Sequence, residues 1–452
     1  MRAFRQWNPR QDWLLPPSPR GWLPEGHLVY CVLDIVDSLD LSAIEGPLRE
    51  RDARGEKGYH PAMMTALLLY GYATGVASSR RLERASYEDV AVRVLTGGQH
   101  PDHTRISEFR RENLKELARL FVQMLQLCQR AGMVKLGHVA LDGTKVKANA
   151  SKHKAMSYER MLKSEAQLRE EIDELLKKAE KVDREEDRRF GRGCREEDLP
   201  AELRRREVRL ERIARAKAEL EAEATEQHAS KKHEGDGRPP DRSGGTELPR
   251  HRVPTTREGK PQAKAQRNFT DPESRIMKHH GEFVQGYNGQ IAVDDQNQVI
   301  VAQALTNQSP DTEHLPPMLD LIAVNTGDTP QRITADAGYW STENDEVCRS
   351  QSINAYIATG RLRHGEKPPP VRGRPPKNLD AKGRMWRKLR TKTGAAVYAR
   401  RKAVVEPCFG QIKEKGFRRL LLRGIEKARG EWALITTGHN LLKFYRVAWA
   451  AS

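Results

Sequence analysis

The sequence predicts an α/β protein: a mixed sheet flanked by helices, preceded by an all-α region and interrupted by a charged helical hairpin. Three observations carry this. Residues 25–132 place apolar side chains at three- and four-residue steps, the helical period. From residue 138 onward, strand-like runs appear, three first and then strands alternating with helical segments, the order of a mixed sheet with helices packed on it. Residues 158–225 carry a heptad rhythm with charges between the apolar positions.

With 452 residues the chain has length for two or three domains and a sizeable core. Its net charge of +17 points to a polyanionic partner, with an acidic membrane surface as the rival. No basic amphipathic terminus, signal-peptide core or membrane-spanning run supports the rival. Five scattered cysteines (Cys31, Cys128, Cys194, Cys348, Cys408) without a CxxC argue against structural zinc and for a reducing, cytoplasmic setting.

Residues 1–24, rich in Trp and Pro, read as extended. Leu28, Val32, Ile35, Val36 and Leu39 mark the first helix. Pro61 suits a first turn, and the run MMTALLLYGYATG after it is apolar nearly all round, as in a core helix. Stretches 78–98 and 103–132 each read as one amphipathic helix, the second capped by Thr104 or Ser107 and closed by Gly132. Their arginines (Arg80, Arg81, Arg84, Arg110, Arg111) suit either phosphate contacts or a solvated face.

Val139 and Leu141 then lead as a strand into Asp142. Asp142-Gly143 has two readings: a hairpin turn, or an acid facing a phosphate backbone, towards which Lys145 and Lys147 lean. Residues 158–225 follow as an antiparallel hairpin marked by Leu168, Ile172, Leu175, Leu210, Ile213 and Leu220, whose polar faces suit either solvation, the expected state, or lying on DNA. Residues 226–266, polar and rich in Pro and Gly, read as a flexible linker whose histidines lack metal-ligand spacing. Two β-rich runs flank a hairpin signal at 295–297. A helix, a short strand ending at Asp336, another helix and a strand at 354–360 complete the sheet. Acids at strand C-terminal ends are where α/β sheets place active sites, although Asp336 also suits a helix N-cap.

Residues 361–402 hold 15 Lys and Arg against Glu366 and Asp380, so 15 − 2 = +13 of the chain's +17. Their Pro-rich start reads as a flexible basic arm. In the following run, YARRKAVVEPCFGQIKEKG, a single acid, Glu406, stands among cations. On a helix, Lys402, Glu406, Gly410 and Lys413 share a face. An acid so placed suits the meeting of a metal ion with a phosphodiester. An apolar helix, LITTGHNLLKFYRVAWA, closes the chain on the sheet.

Taken together, Gly58–Tyr59–His60–Pro61, DHTRISEFRR, LDGTKVKANASKHKAMSYE, GYNGQIAVD, ITADAGYW and VEPCFGQIKEKGFRRLLLRG resemble a bacterial insertion-sequence DDE transposase over nearly the whole chain. The resemblance implies a helical N-terminal domain (1–132) for DNA-end binding or oligomerisation. It implies an RNase H-like catalytic domain (133–157 and 267–452) split by the hairpin (158–225) and linker (226–266). Asp142, Asp336 and Glu406 would be the catalytic acids and metal ligands. Tyr398, Arg401, Glu406 and Lys413 match a Tyr-Arg-Glu-Lys signature with one departure: four residues rather than three separate Arg401 from Glu406, and Lys402 stands at the usual spacing. DNA contacts would come from Tyr398, Arg401, Lys402, Lys413, Lys145, Lys147, Arg418 and Arg419.

The chemistry suits these residues. Phosphodiester cleavage at neutral pH needs an activated water and a stabilised leaving oxyanion, which two Mg²⁺ ions about 3.5–4 Å apart supply, with Mn²⁺ able to substitute. Such hard cations take carboxylate oxygens. Asp142 is expected to bridge both ions, with Asp336 on one and Glu406 on the other. Tyr339 or Trp340 is open to two roles, stacking on an unpaired base or packing in the core. The expected partner is double-stranded DNA, element ends and target alike, and synapsis of two ends favours a homodimer. A nuclease of the same fold and a catalytically silent DNA-binding descendant are the alternatives.

Overall fold

The computed structural model describes residues 19–49, 58–190, 201–234, 246–279, 281–360, 369–374, 376 and 378–449. The N-terminal region contains α1 (Leu28–Ser38), α2 (Ser42–Arg49), α3 (Pro61–Thr74), α4 (Ser79–Glu88), α5 (Val90–Leu95), α6 (His103–Glu112) and α7 (Leu114–Arg130). Pro61 takes the first turn of α3, with His60 as its cap. Both stretches read as single helices are broken. Asp89 ends α4 and caps α5 by accepting from Ala91 N and Val92 N; Asn113 parts α6 from α7. The cap of α6 is Asp102 rather than Thr104 or Ser107, and it accepts from Thr104 N and Arg105 N.

After α7 come β1 (Val139–Lys147), β2 (Ala155–Ser157), α8 (Tyr158–Phe190), α9 (Ala201–Glu234), β3 (Gln266–Asn268), β4 (Arg275–His279), β5 (Glu282–Asp294) and β6 (Ile300–Thr306). They are followed by α10 (Leu315–Thr326), β7 (Arg332–Ala335), α11 (Thr342–Ser350), β8 (Asn354–Ile357), α12 (Ala381–Arg390), α13 (Lys392–Glu414) and α14 (Ile425–Phe444). β6 and β4 pair with successive parts of β5, and the sheet continues through β1 and β7 to β8. β5 and β6 are antiparallel neighbours, β1 is antiparallel to β5, and β7 and β8 run parallel to β1. This is the expected RNase H-like mixed sheet, flanked by helices.

Asp142-Gly143 is not a hairpin turn. β1 runs straight through it, paired with β5 from Val139↔Asp294 to Lys147↔Gly286. The partner strand demands the glycine: a side chain at Gly143 would start against the amide of Gln290, its register partner.

α14 packs against β6, α7 and α3, so the N-terminal helices and the sheet share one apolar core. Gly438 permits the close approach to α3, since a methyl there would meet the backbone of Tyr72 and Ala73 at 2.9 Å. Among the described residues no helix is long and apolar enough to cross a membrane. Cys31, Cys128, Cys348 and Cys408 are buried free thiols; Cys194 lies outside the described residues.

α8 and α9 form the expected antiparallel hairpin around Met161, Leu168, Ile213 and Ala216. Cross-helix pairs fix its register, Arg206 with Glu171 at 3.0 Å and Lys217 with Glu165 at 2.6 Å. Its base is anchored, because Glu223 receives Arg267 at 2.8 Å and Arg275 at 3.2 Å. The linker reading fails for much of 226–266. Residues 226–234 continue α9, and beyond 246 the chain is packed, with Leu248 and Val253 buried. Its polar backbone finds partners: Thr306 Oγ1 donates to Pro249 O, His251 N to Asn307, and Val253 N to Gln227. Residues 235–245 lie outside the described set. So does 361–368 of the basic arm, whereas Arg387 and Val371 tie 372–373 and 371 to α12.

Candidate active site

Parallel pairing between β1 and β7 covers Val139↔Ile333 and Ala140↔Thr334. Two residues further along each chain stand Asp142 and Asp336, so the register carries both carboxylates to the same level beyond the end of β7. Asp142 Oδ2 accepts from Arg401 Nη1 at 2.9 Å, and its Oδ1 accepts from Gly143 N at 2.8 Å. Asp336 caps a 3₁₀ turn through Gly338 N at 2.8 Å, so its N-cap and site readings hold together. Burial pushes the Asp142 carboxyl up to about 6; Arg401 opposes that rise and the charge of Asp336 adds to it.

α13 crosses β1, β5 and β7 and turns Arg401, Val404, Val405, Cys408, Phe409 and Ile412 inward. Pro407 stands inside this helix, where it leaves the carbonyl of Ala403 without its usual donor. Gln298 at the β5–β6 turn supplies one, its Nε2 donating to Ala403 O at 3.0 Å. The helix therefore continues through the proline.

Tyr398, Lys402, Glu406 and Lys413 occupy one flank of α13. Tyr398 is half-buried; burial raises its hydroxyl pKa, and the charges of Asp336 and Asp142 add to that. Burial lowers Lys413 while Asp142 opposes the shift. Both ends of the flank thus sense the acids. Glu406 is exposed and forms no ion pair among the described residues; Lys402, Lys147, Arg418 and Arg419 are exposed as well. Of the two candidates for the signature arginine, Arg401 is 8% exposed and seated on Asp142, whereas Lys402 faces solvent.

Lys145 departs from the expected DNA-facing position. It turns inward, with Nζ 2.8 Å from Ser309 O and 3.3 Å from Asp311 Oδ1. Asp311 also accepts from Asn288 Nδ2 at 2.6 Å and Gln290 Nε2 at 2.9 Å; burial raises its carboxyl, but His314, the charge of Lys145 and Asn288 outweigh that and draw it down to about 2. The Tyr339 hydroxyl donates to Gln290 Oε1. Tyr339 is fully buried, so core packing is its role; Trp340 is half-buried against the same core. Sequence reasoning missed this network. Its signal was Asn288 and Gln290, two polar residues two apart and so on one face of β5, within its buried stretch.

Gly338 sits between two acids. The point where its side chain would begin is 3.0 Å from Asp336 Oδ1 and 3.3 Å from Asp311 Oδ2. Gly338→Ala is therefore expected to displace the Asp336 carboxylate and lower cutting about 100-fold, with the melting temperature nearly unchanged. Rate and melting curve measured together check this; a wild-type rate refutes it.

The donor set can be tested against a divalent cation. Two carboxylates held level, one of them strained by burial and by its neighbour's charge, suit a hard cation that takes oxygen ligands. The register and the mutual effect of their charges bring Asp142 and Asp336 together, and among the described residues no third His, Cys, Asp or Glu, Glu406 included, completes a metal-ligating group with them.

Comparison with known families accords with this geometry. A model described as "Transposase DDE domain" matches residues 248–441, which contain Asp336 and Glu406; Asp142, before the hairpin, lies outside that match. A model described as "Transposase domain (DUF772)" matches residues 18–112, the stretch containing α1 to α6. Neither the curated proteins nor the solved structures compared give a match. With a helical transposase domain ahead of an RNase H-like sheet, the chain belongs to the insertion-sequence DDE transposases.

Proposed function

We propose that this transposase cuts DNA at the ends of an insertion sequence and joins the freed 3′-OH to target DNA, with Asp142, Asp336 and Glu406 as its catalytic acids. The observation that supports this most is the alignment of Asp142 with Asp336 at the β1–β7 junction, beneath the cation-bearing helix α13. Asp142 and Asp336 would hold Mg²⁺ or Mn²⁺; Glu406, which stands apart from them on the exposed flank of α13, would have to approach them to serve as the further donor. When bound, the metal supplies water activation and stabilisation of the leaving oxyanion. Arg401 and Lys413 orient the phosphates flanking the cut through charge-assisted hydrogen bonds, Arg401 exchanging its contact with Asp142 for the substrate. Lys402, Lys147, Arg418 and Arg419 neutralise phosphates further out. Lys145, committed to Asp311, positions rather than binds.

The test is a labelled duplex carrying the element's own flanking ends, incubated with the protein and Mg²⁺. Cleaved strands with joined products are expected. Cutting without joining would leave a nuclease, and metal-independent, salt-sensitive binding without cutting would leave the silent DNA-binding descendant.

A further inference from the structure

A second cationic site lies at the base of the helical insertion, away from the acids. A cavity of about 650 Å³ opens between the β2 end of the chain and helices α8 and α9. Lys154, Arg160, Arg204, Arg205, Arg209 and Arg212 line it, together with His153. Its floor is apolar, formed by Met156, Val208, Ile213 and Phe269, and no carboxylate lines it. On α9 the lining residues recur at one- and four-residue steps, as one helix face must, and Glu207 and Glu211 stay off that face. Five arginines and a lysine round one concave surface give it a positive potential that attracts a polyanion. Val208 at the floor is 46% exposed, so the groove is open to a ligand.

Backbone pairing links this groove to the acids. Beyond Asp142, β1 reaches Lys147, whose N and O bond Arg418 O and Leu420 N at 3.3 and 2.9 Å. Asn149 then donates to Leu421 O at 2.8 Å and accepts from Arg423 Nε at 3.0 Å. The buried carboxylate of Glu431 fixes that loop from below through Leu421 N and Leu422 N. The chain enters the groove at His153 and Lys154. Exposed cations, Arg418, Arg419, Lys147, Lys152 and Lys154, therefore form a track from the acids to the hairpin. From Asp142 to Lys154 the chain spans at most about 40 Å, so the groove's entrance lies within about one turn of duplex DNA from the acids.

We propose that the groove binds the sugar-phosphate backbone of the DNA flank within about one helical turn of the cut, which makes the insertion a second DNA-holding element. The cations neutralise phosphates without reading sequence, and the apolar floor accommodates the sugar edge. This rests on the proposed function only for the position of the cut. Binding without metal tests the groove separately from the chemistry.

The experiment compares the full-length protein with Arg205→Ala/Arg209→Ala/Arg212→Ala and with the Lys triple at the same positions, without metal. One duplex extends about 25 base pairs on both sides of the element end, the other about 6. The Ala triple is expected to weaken binding to the long duplex on the order of tenfold or more at moderate salt. It should also reduce the salt slope of log K by about 2 to 3, since each phosphate contact contributes roughly 0.9. The Lys triple should restore the slope, and all three proteins should bind the short duplex alike. An Ala triple with wild-type circular dichroism and melting that keeps the long-duplex slope would overturn the proposal. So would one that alters sedimentation of the free protein while DNA binding stays intact, which would make the groove a protein interface. If the wild type binds the long duplex but never cuts, the proposed function fails while the groove result stands.

Discussion

Asp336→Asn is expected to lower metal-dependent cutting at least about a thousandfold while leaving DNA affinity and melting temperature close to wild type. Its carboxylate is half-exposed, and an amide oxygen can still accept from Gly338 N, so the fold loses little. Asp142→Asn should lose as much activity but is the less clean variant. It strips the buried Arg401 of its carboxylate partner, and breaking such a pair costs about 3–5 kcal/mol. Glu406→Gln separates chemistry from structure best of all. Glu406 is exposed and forms no ion pair among the described residues, so its removal should leave the melting curve unchanged. A thousandfold loss of cutting there would assign the third acid to Glu406. Full activity would remove it from the site. Single-turnover cleavage with binding measured alongside distinguishes these outcomes.

The second large effect concerns acid stability and belongs to α14. His439 is fully enclosed, and its Nε2 donates to Gln298 O at 3.0 Å. Burial, helped by the charges of Lys443, Lys415 and Arg446, pushes its pKa down to about 3 from 6.5. The sign follows from linkage. A folded-state pKa below the unfolded value means that the fold favours neutral imidazole. That contribution is complete above pH 6.5 and is lost as the pH falls towards 3. At about 1.4 kcal/mol per unit, the loss is on the order of 4 kcal/mol. His439→Gln keeps a donor for the same carbonyl and cannot acquire the charge. Urea denaturation from pH 7 to pH 4 should show wild-type stability falling by several kcal/mol more than the variant's. Parallel pH profiles would refute the assignment.

His439 and Pro407 also show how far local reasoning reaches. The apolar closing helix was legible from its composition, but the histidine's burial was not, because it depends on which face meets the β5–β6 turn. Pro407 lies inside a helix that its own propensity opposes. The helix survives because Gln298, more than a hundred residues earlier in the chain, takes the orphaned carbonyl. In the same way, Asp142-Gly143 suggested a turn until β5 laid Gln290 across the glycine. The charged hairpin was visible in its heptads, whereas the cationic groove at its base was not. Five of the groove's seven cationic or histidine residues belong to ordinary-looking helix faces, and concavity is a tertiary property.

What the sequence by itself determined was the alternation of strands and helices and the family they belong to; Asp142 and Asp336, together with Glu406, were nominated only through that resemblance. Period and residue chemistry are local properties, written along the chain. Only the tertiary structure decided that the parallel register brings those two acids level, that Arg401 rather than Lys402 sits on Asp142, and that Lys145 turns inward to Asp311. Each of these is a contact between segments far apart in sequence, set by strand register and core packing, which no local pattern encodes.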